Sequence, residues 1–223
     1  KIRVQVNKFC AGTMAVTDYR SDFYEVSNLE EAMKKILTPE GGLSPSERWE
    51  IETPILAEML TKRLNLSSNN NIIDYGCGVG RLAKELIVRT GCNVIGVDIS
   101  RSMRAFSNIY CASDSFFSCS NMSLRRLTER GWLGDHAFSV WVLQHAENPH
   151  EDIELIYNSL AEGGTFLVMN LELRCLPTAN GWENDGIDIK ELIEKRFDVV
   201  EYFSPPNDAA PKPASLITFC AHY

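Results

Sequence analysis

Ile72-Ile73-Asp74-Tyr75-Gly76-Cys77-Gly78-Val79-Gly80-Arg81 is the stretch that decides the fold of this 223-residue chain. Two β-branched residues lead into an acid, three glycines follow at alternate positions, and apolar residues then recur with helical spacing at Leu82, Ala83, Leu86 and Ile87. The pattern predicts a strand, a tight glycine turn and a helix. Because glycine lacks a Cβ atom, the turn can adopt positive φ and let a ligand approach the bare backbone. The first N–H groups of the helix would face that ligand.

The spacing of the glycines narrows the choice of ligand. A dinucleotide-binding turn has Gly-x-Gly-x-x-Gly, whereas this turn has Gly-x-Gly-x-Gly, so an NAD-dependent dehydrogenase is disfavoured. The next predicted strand, Asn93 to Val97, ends in Asp98. A carboxylate at that place can accept hydrogen bonds from a ribose diol. The triplet together with this acid is a stronger signal than the triplet alone.

At these residues the chain resembles the class I S-adenosylmethionine (SAM)-dependent methyltransferases. Phe138 to His145 looks like the family's fourth strand and the segment after it, and Leu160 to Val168 looks like its turn into the fifth strand. The resemblance covers residues 46–223 and leaves 1–45 as an N-terminal lid or extension. It implies a Rossmann-like α/β fold, with a mostly parallel seven-stranded sheet, an antiparallel edge strand and helices on both faces.

The resemblance also implies a SAM site. In the family, the residues that match Asp74 and the three glycines surround the methionine part of the cofactor, and the acid that matches Asp98 holds the ribose hydroxyls. The implied cofactor-binding residues are Asp74, Gly76, Cys77, Gly78, Gly80, Arg81, Asp98, Ile99, Met103, Asn121, Met122, Val142 and Leu143. Asn121 stands where the family commonly has an acid near the adenine amino group, and an amide oxygen can still accept that bond.

Arg48 and Trp49 precede the glycine turn on a predicted helix. By resemblance they are candidates to contact the cofactor carboxylate. The alternative is a surface arginine beside a packed tryptophan.

The methyl acceptor has candidate residues at both ends of the chain. Tyr19, Phe23 and Tyr24 lie in the predicted lid, where they either contact the acceptor or pack the lid onto the core. The loop from Glu172 to Asp185, which contains Trp182, would follow the fifth strand and line the acceptor pocket, because ligands in open α/β sheets bind outside the carboxyl ends of the strands. After the fourth strand, Gln144 either contacts the acceptor or caps the turn. His145 is the candidate general base, with a structural role as the alternative.

Net charge, cysteines, histidines and apolar runs indicate which partners, metal sites and cell compartment to expect. The net charge of −8 argues against a partner bound through its nucleic-acid backbone. Seven cysteines without a C-x-x-C motif predict reduced, packed thiols, and the widely spread histidines predict no metal site. No apolar run approaches membrane-spanning length, which together with reduced thiols predicts a cytoplasmic protein.

The remaining elements follow from local signals. Ile2, Val4 and Val6 predict a short strand, Leu29 to Leu37 a helix, and Ser44 the cap of a helix that breaks or bends near Pro54. A strand is predicted over 114–119. A helix capped at Asn148 is predicted to stop at Gly163-Gly164, followed by a strand from Thr165 to Leu171. A helix over Ile187–Arg196 and a hairpin of Asp198–Ser204 with Ser215–Tyr223 complete the chain.

The sequence therefore predicts a SAM-dependent methyltransferase that transfers a methyl group to a small molecule by in-line displacement. The alternatives are a methyltransferase acting on protein or RNA and a SAM-binding partner without catalysis. Ser204-Pro205-Pro206-Asn207 resembles the signature of methyltransferases that act on the exocyclic amines of bases. That signature belongs after the fourth strand, so this copy is interpreted as a turn.

Overall fold

The computed structural model describes residues 18–209 and 218–223. Its helices are α1 (Leu29–Ile36), α2 (Pro45–Arg63), α3 (Arg81–Thr90), α4 (Arg101–Cys111), α5 (Asn121–Glu129), α6 (Pro149–Asn158) and α7 (Ile189–Glu194). Its strands are β1 (Asn71–Tyr75), β2 (Asn93–Val97), β3 (Phe116–Cys119), β4 (Gly134–Val140), β5 (Leu160–Leu171), β6 (Leu176–Thr178), β7 (Gly181–Glu183), β8 (Glu201–Phe203) and β9 (Thr218–His222). The strand predicted around Ile2, Val4 and Val6 lies outside the described residues.

The strands form a seven-stranded sheet in the order β3-β2-β1-β4-β5-β9-β8. The pairs from β3 to β5 are parallel, and β9 runs antiparallel to both β5 and β8. The predicted fold is confirmed, and the antiparallel strand lies one place in from the edge. The chain order of the strands reverses between β1 and β4, which opens a crevice at their carboxyl ends.

Helices cover both faces of the sheet, as predicted. On one face, α2 and α3 bury Leu56, Leu60 and Leu86 against Ile72 and Phe138. The opposite face carries α5, α6 and α7. A third cluster packs α1 onto the glycine turn through Ala32, Leu37, Trp49, Val79 and Met103. The N-terminal segment is thereby held directly over the crevice, and its treatment as a separate lid ending at residue 45 stays a prediction.

The predicted break at Pro54 is wrong, because α2 runs through it. Proline leaves the carbonyl of Glu50 without its helical partner. Both Glu50 and Pro54 are exposed, so water can reach that carbonyl. Burial of Leu56 and Leu60 on the sheet then holds the second half of the helix in line with the first.

The predicted helix end at Gly163-Gly164 is also wrong. The Asn148 side chain makes no cap, α6 ends at Asn158, and β5 already begins at Leu160. The two glycines lie where the register with β4 shifts between the pairs Gly134–Leu160 and His136–Thr165. The pair therefore forms a bulge within a strand, which is the other common use of glycine.

The predicted loop over 172–185 contains a hairpin of β6 and β7. Tyr19 bridges to Thr178, and the Arg20 N–H donates to the Pro177 carbonyl at 2.9 Å. The hairpin thus anchors the N-terminal segment on the far side of the crevice from α4.

Candidate functional site

The three glycines of the turn all have positive φ, with values of 82° at Gly76, 53° at Gly78 and 79° at Gly80. The N–H groups of Gly76 and Cys77 both donate to the Val97 carbonyl, which ties the turn to β2. A Cβ atom on Gly76 would lie 2.3 Å from the methyl carbons of Val142. One on Gly78 would lie 2.7 Å from Cδ1 of Ile36 in α1. Side chains from the segment after β4 and from α1 therefore lie directly on the turn.

Asp98 faces the same turn from the end of β2. Its Oδ2 accepts a hydrogen bond from the Gly78 N–H at 2.8 Å, and its Oδ1 accepts one from the Ser100 N–H at 2.9 Å. Burial raises the pKa of this carboxyl, while the two backbone N–H groups act to lower it. Each carboxylate oxygen retains a second lone pair for a ligand.

Asp74 and Arg81 lie at opposite ends of the turn and are 4% and 6% exposed. Oδ2 of Asp74 and Nη1 of Arg81 have no hydrogen-bond partner among the described residues. Burial, with the Asp98 charge second, raises the pKa of Asp74 to about 8. Burial lowers the pKa of Arg81 to about 10. Nη1 of Arg81 lies 3.9 Å from Oε2 of Glu52, which is an ion pair but too long for a hydrogen bond. Buried polar groups are normally hydrogen-bonded, so an acid and a guanidinium that both lack such a partner suit a zwitterionic ligand.

Arg48 is buried rather than at the surface. Its Nε donates to Glu52 at 2.6 Å and its Nη1 donates to the Thr38 carbonyl at 2.8 Å. Trp49 packs its ring edge-on against Tyr110, and the Arg81 guanidinium lies 5.5 Å from the centre of the Trp49 ring. Arg48 is thus hydrogen-bonded to other protein groups, whereas Nη1 of Arg81 has only the longer ion pair with Glu52 and can still donate a hydrogen bond.

The ends of β2 and β3 expose two large apolar side chains, Ile99 at 49% and Met122 at 62%. Asn121, beside Met122, directs its amide nitrogen at Tyr75 and Asp152. Cys77, Met103 and Leu143 are buried in the packed interior. A contact of these three with a ligand stays a prediction.

The predicted acceptor residues come together over the ends of β4 and β5. The Tyr19 hydroxyl donates to the His145 carbonyl at 3.2 Å. The rings of Tyr24 and Trp182 lie 6.4 Å and 5.2 Å from the His145 ring. Phe23 packs edge-on against both Tyr24 and Trp182. Residues from three distant parts of the chain thus form one aromatic cluster.

His145 is held at both ring nitrogens. Nδ1 lies 2.6 Å from the Cys175 carbonyl, so Nδ1 carries the proton and donates it. Nε2 lies 3.2 Å from Nε2 of Gln144, whose N–H₂ group is the donor. Burial lowers the pKa of His145 to about 4, so the ring is neutral at pH 7. A base role for His145 stays a prediction, and it requires Gln144 to move.

Two buried polar atoms near His145 have no partner among the described residues. They are Oε1 of Gln144, a residue that is 1% exposed, and the hydroxyl of Tyr24. The Gln144 oxygen can only accept a hydrogen bond, whereas the Tyr24 hydroxyl can donate or accept one. Together they suit a small polar group on a bound molecule.

Sequence reasoning missed Arg174, which is fully buried. Its guanidinium binds both carboxylate oxygens of Asp185 at 3.1 Å and donates to the Leu143 carbonyl at 2.8 Å. It thereby joins the loop after β5 to the segment after β4. The sequence carries no local signal for this, since the partners lie in an aperiodic loop and in a distant segment.

Sequence reasoning also missed Glu25. Its carboxylate accepts hydrogen bonds from the N–H groups of Arg101 and Ser102, the first two residues of α4. This contact holds the N-terminal segment beside Asp98.

Within 18–209 and 218–223, no three histidine, cysteine or acidic side chains are grouped as a metal site would need. Of the helices in that part of the chain, none has the length and apolarity to cross a bilayer.

Comparison with known proteins gives a family match to a methyltransferase domain over residues 49–215. The ubiquinone biosynthesis O-methyltransferase of Glaesserella parasuis serovar 5 (strain SH0165) is 23% identical over 160 residues, which are 67% of this chain and 64% of that protein. The chain spans less than two thirds of the length of the curated relatives it matches.

Two solved structures show the same fold. The PH0226 protein from Pyrococcus horikoshii OT3 aligns with a TM-score of 0.60 and 17% identity, covering 88% of this chain and 99% of that one. The geranyl diphosphate C-methyltransferase from Streptomyces coelicolor A3(2), in complex with Mg²⁺, geranyl diphosphate and S-adenosyl-L-homocysteine, aligns with a TM-score of 0.58 and 14% identity, covering 79% and 81%. At these identities the likeness shows the fold alone.

Proposed function

Because the chain belongs to the class I SAM-dependent methyltransferase family, we propose that it transfers the methyl group of SAM to a small-molecule acceptor. The observation that carries the proposal is that one oxygen of Asp74 and one nitrogen of Arg81, at the two ends of the glycine turn, are buried without a hydrogen-bond partner among the described residues. Asp74 Oδ2 would accept from the ammonium of the cofactor, and Arg81 Nη1 would donate to its carboxylate. Asp98 would accept from the ribose hydroxyls, and Ile99 and Met122 would cover the adenine.

The protein contributes alignment and exclusion of water. When bound, SAM supplies a methyl group on a positively charged sulfur, which an acceptor can take by in-line displacement. The aromatic cluster of Tyr19, Phe23, Tyr24, His145 and Trp182 would hold a flat acceptor beside the glycine turn. Holding both reactants in line and away from water removes much of the entropic barrier.

An acceptor hydroxyl fits the two unpaired atoms near His145. Gln144 Oε1 would accept a hydrogen bond from this hydroxyl, and the Tyr24 hydroxyl would donate a hydrogen bond to its oxygen. If Gln144 turns its amide toward the acceptor, Nε2 of the neutral His145 becomes free to take that proton. The O-methyltransferase among the relatives agrees with this choice of acceptor atom.

A protein or RNA acceptor is the second candidate. The N-terminal segment crosses the crevice from the β6–β7 hairpin, where Arg20 is bound, to the start of α4, where Glu25 is bound. Tyr19, Phe23 and Tyr24 of the aromatic cluster lie in or beside this crossing segment, so the chain itself covers the cluster, which favours a small acceptor over a macromolecular one. The negative net charge also disfavours RNA.

Calorimetry with SAM, S-adenosylhomocysteine and NAD tests the cofactor, and transfer of radiolabelled methyl to metabolite pools and to protein extract tests the acceptor. We expect SAM and S-adenosylhomocysteine to bind and the label to enter a small molecule. Binding of NAD alone would overturn the proposal. Label in protein or RNA would establish the second candidate, and binding without any transfer would indicate an inactive partner protein.

Trp182→Ala is expected to lower methyl transfer at least tenfold while leaving the affinity for S-adenosylhomocysteine unchanged. The substitution removes the ring that lies 5.0 Å from Phe23 and 5.2 Å from His145, but it touches nothing on the glycine turn. Trp182→Phe, which keeps an aromatic ring, serves as the control and should retain most of the activity. Full activity in Trp182→Ala would show that the acceptor binds elsewhere.

Binding of S-adenosylhomocysteine is expected to strengthen about tenfold from pH 6 to pH 7. The ligand ammonium needs ionised Asp74, and in the free protein burial raises the pKa of Asp74 to about 8. Below pH 8, Asp74 must therefore lose its proton when the ligand binds. The free-energy cost of that deprotonation falls as the pH rises toward 8. The matched variant Asp74→Asn should bind with little pH dependence in the same titrations. An equal dependence in both proteins would contradict the assignment of Asp74 to the ammonium.

A further inference from the structure

We propose that Tyr75 and Asp152 are positioning residues that fix the side-chain amide of Asn121 in one orientation, so that the site selects a 6-amino purine over a 6-oxo purine. The inference rests on the proposed SAM site. The inference concerns which purine base the cofactor site binds. It gives roles to Tyr75 and Asp152, to which the sequence alone assigned none.

The three side chains form a closed network at the carboxyl end of β1. The Tyr75 hydroxyl donates to Asp152 Oδ1 at 2.5 Å. Asn121 Nδ2 donates to the Tyr75 oxygen and to the same Asp152 oxygen, both at 2.8 Å. Tyr75 is buried beneath the end of its strand, and burial holds its pKa well above the usual value, so it keeps its proton.

This network determines which way the amide points. Tyr75 has a single proton, and it is committed to Asp152, so the Tyr75 oxygen can only accept from Asn121. The Asp152 carboxylate can also only accept. Both positions therefore require the N–H₂ end of the amide. Turning the amide over would place its oxygen against two acceptors and leave both without a donor.

The opposite end of the amide, Oδ1, has no donor among the described residues. Asn121 is partly exposed, and its neighbour Met122 and the nearby Ile99 present apolar side chains at the ends of adjacent strands. A planar base covered by these two side chains would bring its edge to Oδ1. An amide oxygen held in this way accepts from an exocyclic amine and repels an exocyclic carbonyl.

An amide fixed in this orientation accepts a hydrogen bond from the base amine, as a carboxylate would, but it adds no negative charge. A carboxylate accepts in either orientation, whereas a free amide can turn to donate or to accept. Without Tyr75 and Asp152, Asn121 would satisfy an amine or a carbonyl equally well. The two residues therefore affect the choice of base even though neither touches it.

The test compares the affinities for S-adenosyl-L-homocysteine and S-inosyl-L-homocysteine by calorimetry. We expect the wild-type protein to prefer the adenosyl compound by at least about thirtyfold. The variant Tyr75→Phe with Asp152→Ala should reduce this ratio at least tenfold, chiefly because the inosyl compound binds better. Adding Asn121→Asp to that variant should restore the preference, since a carboxylate accepts in any orientation.

The outcomes separate the inference from the function on which it rests. If the wild-type protein binds neither compound, the SAM site itself is wrong. If it binds both equally, or if the double variant weakens both by the same factor, only the positioning role is overturned. Should the double variant fail to fold, Tyr75→Phe with Asp152→Asn takes its place, because it keeps the side-chain volumes while the new amide can donate or accept. An unchanged ratio in that variant would also refute the role.

Discussion

Gly80→Ala is expected to destabilise the fold by about 3 kcal/mol. Gly80 is the cap residue of α3, with φ of 79°. A Cβ atom there would lie 2.4 Å from the sulfur of Cys111 and 3.4 Å from the Phe116 ring. Both neighbours are buried, so the turn cannot relax into open space. The cost combines about 1 kcal/mol for left-handed backbone with about 2 kcal/mol for overpacking.

Gly131→Ala is the matched control, because Gly131 also has positive φ, at 91°, but has open space where the Cβ would lie. We expect it to cost about 1 kcal/mol, the backbone part alone. Denaturant unfolding measures both values. The addition of Cys111→Ala to Gly80→Ala should recover part of the loss. Equal destabilisation by the two glycine variants would show that contact with Cys111 contributes nothing.

The glycine turn was predictable from the sequence because its signal is local. The run from Ile72 into the turn, the three glycines and the helical spacing after Arg81 all concern residues within reach of one another along the chain. Asp98 was predictable for the same reason, since it ends the next strand. The capping signal at Ser44 also predicted the start of α2 correctly.

The errors arose where a tertiary contact decided between two local possibilities. Pro54 is compatible with a break or with an exposed position in a continuous helix, and the packing of α2 on the sheet selects the second. Gly163-Gly164 can end a helix or form a bulge, and pairing with β4 selects the bulge. Neither choice is visible without the neighbouring element.

The site was predictable in part for similar reasons. Tyr19, Gln144, His145 and Trp182 were named from their places in the chain order, but the bonds among them depend on how the segments meet. The hydrogen bonds that orient the His145 ring come from Gln144 and Cys175, and only the folded loop brings Cys175 there.

Asp98→Ala is expected to weaken binding of S-adenosylhomocysteine by more than a hundredfold, or about 3 kcal/mol. The carboxylate has two tasks, because it would accept from the ribose hydroxyls and it already accepts from the N–H groups of Gly78 and Ser100. Alanine removes the ribose contacts and leaves both backbone donors without a partner. Hydrogen bonds to a charged group contribute about 1.5–3 kcal/mol each, so loss of the ribose contacts alone accounts for most of the effect.

Asp114→Ala is the control for this change, since Asp114 is an exposed acid that precedes β3, at the opposite end of the sheet from the crevice. It removes the same charge and should leave the affinity unchanged. Calorimetry of both variants, with unfolding curves to establish that each is folded, separates loss of the ligand contact from loss of the turn. An affinity of Asp98→Ala within threefold of the wild-type value would mean that the ribose does not lie against Asp98. The glycine turn would then be a structural feature of the sheet rather than the cofactor site.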